Sequence, residues 1–198
     1  MLNIKHCPVI TLLLVLVLII FEIFNRHTVN RQKFREYCNI NFDKDTYHSV
    51  VRKFFTTHFV HAGNTLGHFL PNVLLTLIFG ILLEGLVGSL KMFLYLVICI
   101  FVYWVLIYSI IGAYRKGCGF SSVYFSFVSI YFSMLLIHAP TVYYKLLYAI
   151  IPLVFLYITN LCGNLANAQG HSSNYVHLLS ILYGYIIGIA EAFIEMVK

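Results

Sequence analysis

The chain holds 198 residues, of which 61% are hydrophobic and only 10% charged, far below the roughly 25% charged residues of a soluble globular domain. That composition excludes a soluble enzyme. It leaves a membrane protein: at about 20 apolar residues per crossing there is room for six spans and no separate soluble domain. The net charge of +6 does not signal nucleic acid, because Arg26, Arg31, Lys33, Arg35, Lys44, Arg52 and Lys53 crowd one polar stretch that also holds Glu36, Asp43 and Asp45.

The first apolar run, VITLLLVLVLIIF, follows Lys5, and the EIFNRH after it offers no small-x-small cleavage site. It is expected to remain as a helix over residues 8–24. Residues 25–63 are polar and aromatic, with amphipathic fragments such as YHSVVRKFF. They are expected to lie on the bilayer as an interfacial loop rather than to cross it. Further spans are expected over 64–84, ended by Gly85 and Gly88, over 91–112, and over 120–138, where Ala139-Pro140 breaks the run. The last two are expected over 141–160 and 174–196, separated by the polar CGNLANAQGHSS. The expected fold class is thus an all-α integral membrane protein, one domain over 1–198 with six transmembrane helices. Lys5, Lys91, Lys145 and Lys198 fall on one face and the basic loop, Arg115 and Lys116 on the other, so the positive-inside rule puts the loop in the cytoplasm. The loop is long enough to weaken that argument, and the sequence leaves the orientation open.

The five cysteines, Cys7, Cys38, Cys99, Cys118 and Cys162, are scattered without a C-x-x-C pair. Neither a disulfide framework nor a zinc site is expected, and the thiols read as buried and inert. No cofactor is implied.

In a six-helix serpentine the second, fourth and sixth helices all start on the face that holds the first loop. Their first turns carry His68 and Asn72, Ser121, and His177. Polar groups inside a span are costly, so each is a functional candidate. His68 and Asn72 are four apart and share a helix side, giving two donors aimed one way. Ser121 begins its helix, where its backbone N–H has no intrahelical partner. A serine, a histidine and a set of donors are the parts of acyl transfer: nucleophile, general base and oxyanion stabiliser. No Asp or Glu lies in these turns, so a Ser–His dyad is expected. Ser180, Gly184 and Gly188 present a small-x-x-x-small face that His177 continues upstream, a reason for the sixth helix to pack on the fourth and bring His177 to Ser121.

The residues also admit plainer readings. Ser122, Ser126, Ser129 and Ser133 form a stripe suited to helix packing, with Ser121 just off it. His68 and Asn72 suit a structural clamp. His171 competes with His177 from a loop, and His58 with His61 is the best metal alternative, though no carboxylate or cysteine completes a site. Glu84 reads as a structural cap for the turn after it.

Over residues 54–190, three motifs resemble rhomboid intramembrane proteases. HFLPNVLLTLIFGILLEGLVGS is similar to their second helix with its H-x-x-x-N pair, GFSS to their G-x-S-x nucleophile motif, and HLLSILYG to their sixth-helix histidine followed by small residues. The resemblance implies a rhomboid-like bundle. Ser121 in the motif opened by Gly119 would be nucleophile, His177 base, and His68, Asn72 and the Ser121 N–H the oxyanion hole. It also implies that Phe125 stands where the family often stacks a tyrosine on the catalytic imidazole. Two departures stand out: Ser122 replaces the usual glycine, and the Trp-Arg pair common in the first loop is absent, since Trp104 is the single tryptophan.

The expected protein is an intramembrane serine endopeptidase of the cell membrane, acting in the lipid bilayer on single-span or membrane-anchored protein substrates, with no nucleic-acid partner. The rivals are a non-catalytic relative that binds or escorts membrane proteins and a small multi-pass transporter. Charged groups deep in the spans would favour the transporter, and Glu22, Glu84, Glu191 and Glu195 all lie near expected span ends.

Overall fold

The computed structural model describes residues 6–41, 44–61, 66–110, 116–117, 119–165 and 172–197. Among them run α1 (Val9–His27), α2 (Arg31–Cys38), β1 (Ile40–Asn41), α3 (Tyr47–Phe59), α4 (Leu66–Val87), α5 (Ser89–Ile110), β2 (Lys116–Gly117), α6 (Ser121–Ile137), α7 (Val142–Leu165) and α8 (Ser172–Val197). Four helical stretches, 9–27, 69–87, 142–159 and 175–197, are long and apolar enough to cross a membrane; α5 and α6 contribute shorter apolar helices over 89–105 and 121–137. The chain is an all-helical integral membrane protein.

The centre of the bundle is α6. Its sequence is apolar or small on every side, and residues 122–130 are all buried, as expected of a helix without a polar face. It packs against α8, α7 and α4. Leu18, Leu83, Met92, Cys99, Ile100, Phe120, Phe127 and Ile130 form one continuous core between α1, α4, α5 and α6. On the other side Phe79, Phe132 and Phe155 tie α4, α6 and α7 together.

Helix ends differ from the expected ones where side chains supply the missing partners. The first helix continues past Phe24 because Arg26 reaches back one turn to Glu22 at 2.7 Å, an i,i+4 pair. Glu84 is not chiefly a cap for the turn that follows it. Its carboxylate accepts from the backbone N–H groups of Ile10 and Thr11 at 2.9 and 2.7 Å and from the Thr11 hydroxyl at 2.8 Å, which makes it the cap of the distant α1; it also accepts from Ser89 at 2.6 Å. A carboxylate suits the positive end of a helix dipole. Gly88 joins α4 to α5 with φ +83°, a left-handed conformation that favours glycine.

The fifth expected helix, α7, runs on to Leu165 with Pro152 inside it. Proline has no N–H for the carbonyl four residues earlier. That carbonyl, on Tyr148, accepts instead from the Tyr185 hydroxyl of α8 at 3.1 Å, with Ala149 O at 2.7 Å from the same hydroxyl. The missing helix bond is thus compensated across the helix pair.

The stretch 25–63, expected as an interfacial loop, holds α2 and α3 among its described residues. Asn30 caps α2 by accepting from Lys33 N at 3.0 Å, and Thr46 caps α3 by accepting from Ser49 N at 3.4 Å. Both helices fold back over α1: the Asn25 side chain donates to His61 O and accepts from Arg35. The thiols are not all buried. Cys38 and Cys99 are, but Cys7 is exposed, because it precedes α1 at the end of the bundle; Cys118 and the Cys162 side chain lie outside the described residues.

Candidate active site

Two parts of the first loop hold the turn that precedes α6. Ile40 and Asn41 of β1 pair antiparallel with Gly117 and Lys116 of β2, and Gly119 N donates to Thr57 O of α3 at 2.9 Å. Gly119 has φ +100°, so the turn needs a residue without a Cβ. The ring of Phe59 stacks on Phe120 at 5.6 Å and 29°. Sequence reasoning missed this support from α3, since a single bond between backbone groups far apart in the chain leaves no side-chain signal.

Phe120 caps α6 with its carbonyl, accepting from Val123 N at 3.0 Å and Tyr124 N at 3.2 Å. Ser121 is the first helical residue, where the backbone N–H has no carbonyl of its own helix to meet. Its side chain is partly exposed, in contrast to Ser122, Ser126, Ser129 and Ser133, which are buried. Three of those four turn back on their own helix: Ser126 Oγ donates to Ser122 O, Ser129 Oγ to Phe125 O and Ser133 Oγ to Ile130 O. Their hydroxyls therefore serve the α6 backbone, and the stripe is free to press against α8.

That contact is close because α8 offers glycine there. A Cβ on Gly184 would stand 2.8 Å from both Ser126 O and Ser129 Cβ, and one on Gly188 would overlap the Ser133 hydroxyl. Ser180, one turn nearer the site, is buried and donates to Val176 O at 2.8 Å. With the helices at this distance, His177 Nε2 and Ser121 Oγ share a hydrogen bond of 2.8 Å. The Phe125 ring lies 4.8 Å from the imidazole of His177, tilted by 39°. A hydroxyl bonded to an imidazole at the start of a helix is an arrangement capable of acyl transfer.

Asn72 is buried on α4, a helix that packs against α6. His68 stands four residues earlier on the same helix; its side chain, like the whole of His171, lies outside the described residues. Among the described residues no three His, Cys, Asp or Glu side chains gather as a metal site.

His58 lies on the inner side of α3, 1% exposed, edge-on to Tyr103 at 4.8 Å and to Trp104 at 5.8 Å. Burial pushes its pKa down from 6.5 to about 3, against a smaller opposite pull from the Gly119 backbone. The imidazole is neutral in the folded protein, whereas in the unfolded chain it takes up a proton below pH 6.5. Stability from this group is present above that pH and lost as pH falls toward 3. At pH 5 the loss is about 2 kcal/mol. The thermal midpoint is expected to fall between pH 7 and pH 5, and to fall less in His58→Phe; equal slopes would remove His58 as the cause.

A search of curated proteins finds none that matches the chain. The Rhomboid domain family, by contrast, matches residues 48–192, from α3 through the last turns of α8 and well over half the chain. The chain belongs to the rhomboid family of intramembrane proteins.

Proposed function

We propose that the protein is an intramembrane serine endopeptidase working through a Ser121–His177 dyad. The observation that carries this reading is the 2.8 Å hydrogen bond between His177 Nε2 and Ser121 Oγ, made across two helices by residues 56 positions apart in sequence.

In this mechanism Ser121 Oγ attacks the scissile carbonyl while His177 Nε2 takes its proton. The Ser121 N–H, with the Asn72 and His68 side chains, stabilises the oxyanion. As the tetrahedral intermediate collapses, His177 gives the proton to the leaving amine. Water, deprotonated by the same imidazole, then releases the acyl-enzyme. Phe125 limits the rotation of the imidazole by lying along its face.

The single domain spans the membrane six times, through α1 and α4 to α8, in the cell membrane. Its substrates are single-span or membrane-anchored proteins cut near the bilayer surface. A substrate helix has to unwind there, since its carbonyls are otherwise hydrogen-bonded, so helix-weakening residues near one end of the span favour cleavage.

The test is cleavage of a single-span substrate co-reconstituted with the full chain in vesicles. The wild type is expected to cut and Ser121→Ala to leave the substrate intact. Cleavage by both alike would remove Ser121 as the nucleophile, and cleavage by neither would leave a non-catalytic membrane-protein binder.

A further inference from the structure

One side of α3 is built into the protein and the other is left outside it. Lys53, Thr57 and His58 are buried, while Tyr47, Val51 and Phe55 form a row at four-residue spacing and are 78%, 55% and 49% exposed. His48 and Arg52 form the neighbouring row and are exposed as well. The Arg52 guanidinium lies 3.9 Å over the ring of Tyr37 on α2, and Lys33 and Lys44 are exposed nearby in sequence.

The cations of this segment divide into two groups. Arg26 and Lys53 are paired with Glu22 and Asp45, and Arg31 and Arg35 bond to Asn25. Lys33, Lys44 and Arg52 have no carboxylate partner among the described residues. Set against the exposed Glu36 of α2, which accepts from Gln32, they leave a net positive field among the described residues beside an aromatic and aliphatic row, the pattern of a helix lying in a bilayer interface.

The depth agrees. Trp104 of α5 donates from Nε1 to Phe54 O at 3.1 Å and so fixes α3 against the side of a membrane helix. Trp104 stands six residues before Ile110, the last of α5, which at 1.5 Å per residue is about 9 Å along the axis. An interfacial helix buries its apolar face to about 5–10 Å. Phe101 and Val105, on either side of that anchor, are 58% and 45% exposed on the outside of α5.

We propose that the outer face of α2 and α3 is a docking surface for anionic phospholipid: Tyr47, Val51 and Phe55 enter the acyl boundary, and Lys33, Lys44 and Arg52 bind the headgroup phosphates. A surface with a surplus of cations selects anionic over zwitterionic lipid, because each Lys or Arg near a negative headgroup layer adds attraction that a neutral layer does not supply. The proposal concerns binding and stands apart from the protease reading.

It is tested on the full chain in neutral detergent micelles, titrated with dioleoylphosphatidylglycerol or dioleoylphosphatidylcholine and followed by hydrogen–deuterium exchange. The glycerol lipid is expected to slow exchange over residues 44–59 and, through the Thr57 bond, at Gly119; the choline lipid is expected to do so far less, and added salt to weaken the difference. In Lys44→Glu/Arg52→Glu the concentration of phosphatidylglycerol for half-protection is expected to rise at least about tenfold, with exchange in α8 unchanged as the sign of an intact fold. Equal protection by both lipids, or an unchanged response in the double variant, would overturn the proposal. So would equal protection by soluble glycerol phosphate, which would mean a phosphate site, or cross-linking of Tyr47→Cys between chains that strengthens with protein concentration, which would mean a second copy covers this face.

Discussion

His177→Ala is expected to lower kcat for a single-span substrate by at least about 10⁴ while the protein remains folded. The free serine hydroxyl is a poor nucleophile at neutral pH, and the imidazole 2.8 Å from Ser121 Oγ is bonded to it and can take its proton. The Phe125 ring beside the imidazole and the packing of α8 help to hold the ring. Removing the ring removes the base in acylation, the acid in amine departure and the base in deacylation, so the effects do not divide among separate residues. Ser121→Ala/His177→Ala is expected to be no slower than either single variant. A drop of less than tenfold in His177→Ala would mean that another group, such as His171, serves as the base.

Gly184→Ala is expected to cost about 10² in kcat without unfolding the protein, and Gly184→Leu to prevent folding. The added methyl of alanine would stand 2.8 Å from the Ser126 carbonyl oxygen and from Ser129 Cβ. Neither is the tip of a flexible side chain, so the strain passes into the helix axes. Overpacking of this kind costs about 1–3 kcal/mol, which a membrane bundle tolerates, but α8 must move outward by a fraction of an ångström or more. His177 lies seven residues upstream on the same face, two turns away, and moves with it. A misplacement of about 1 Å at the reacting atoms is enough for a loss of about 10². KM is expected to change less than kcat, because the substitution lies off the substrate's path and alters the distance between catalytic groups. Full activity in Gly184→Ala would show that the glycine face does not set that distance.

The same two positions mark how far the sequence could be read. Gly184 and Gly188 follow His177 at helical spacing, and small residues at that spacing signal close helix contact whatever the fold; the 2.8 Å approach of His177 to Ser121 was therefore legible as an expectation. The helices α2 and α3 were legible only as amphipathic fragments, being too short and polar for a long periodic signal. The pairing of Ile40 with Gly117 and the Gly119 N to Thr57 O bond were not legible at all: two-residue strands and single backbone bonds carry no pattern, and their partners are far apart in the chain. Glu84 was read as a local cap because the sequence shows only its neighbours, whereas its partners Ile10 and Thr11 lie 74 and 73 residues earlier in the chain. Trp104 is a similar case. The first loop has no tryptophan of its own, yet Trp104 enters from α5 and bonds to Phe54 O, holding α3 from outside it.

The central claim is that Ser121 is a nucleophile activated by His177, and covalent labelling tests it most directly. Purified full-length protein treated with a fluorophosphonate probe is expected to carry one adduct, located on Ser121 by peptide mass spectrometry, with labelling lost in Ser121→Ala and strongly slowed in His177→Ala. Labelling of Ser121→Ala at the wild-type rate, or no adduct on Ser121 in folded wild-type protein, would contradict it.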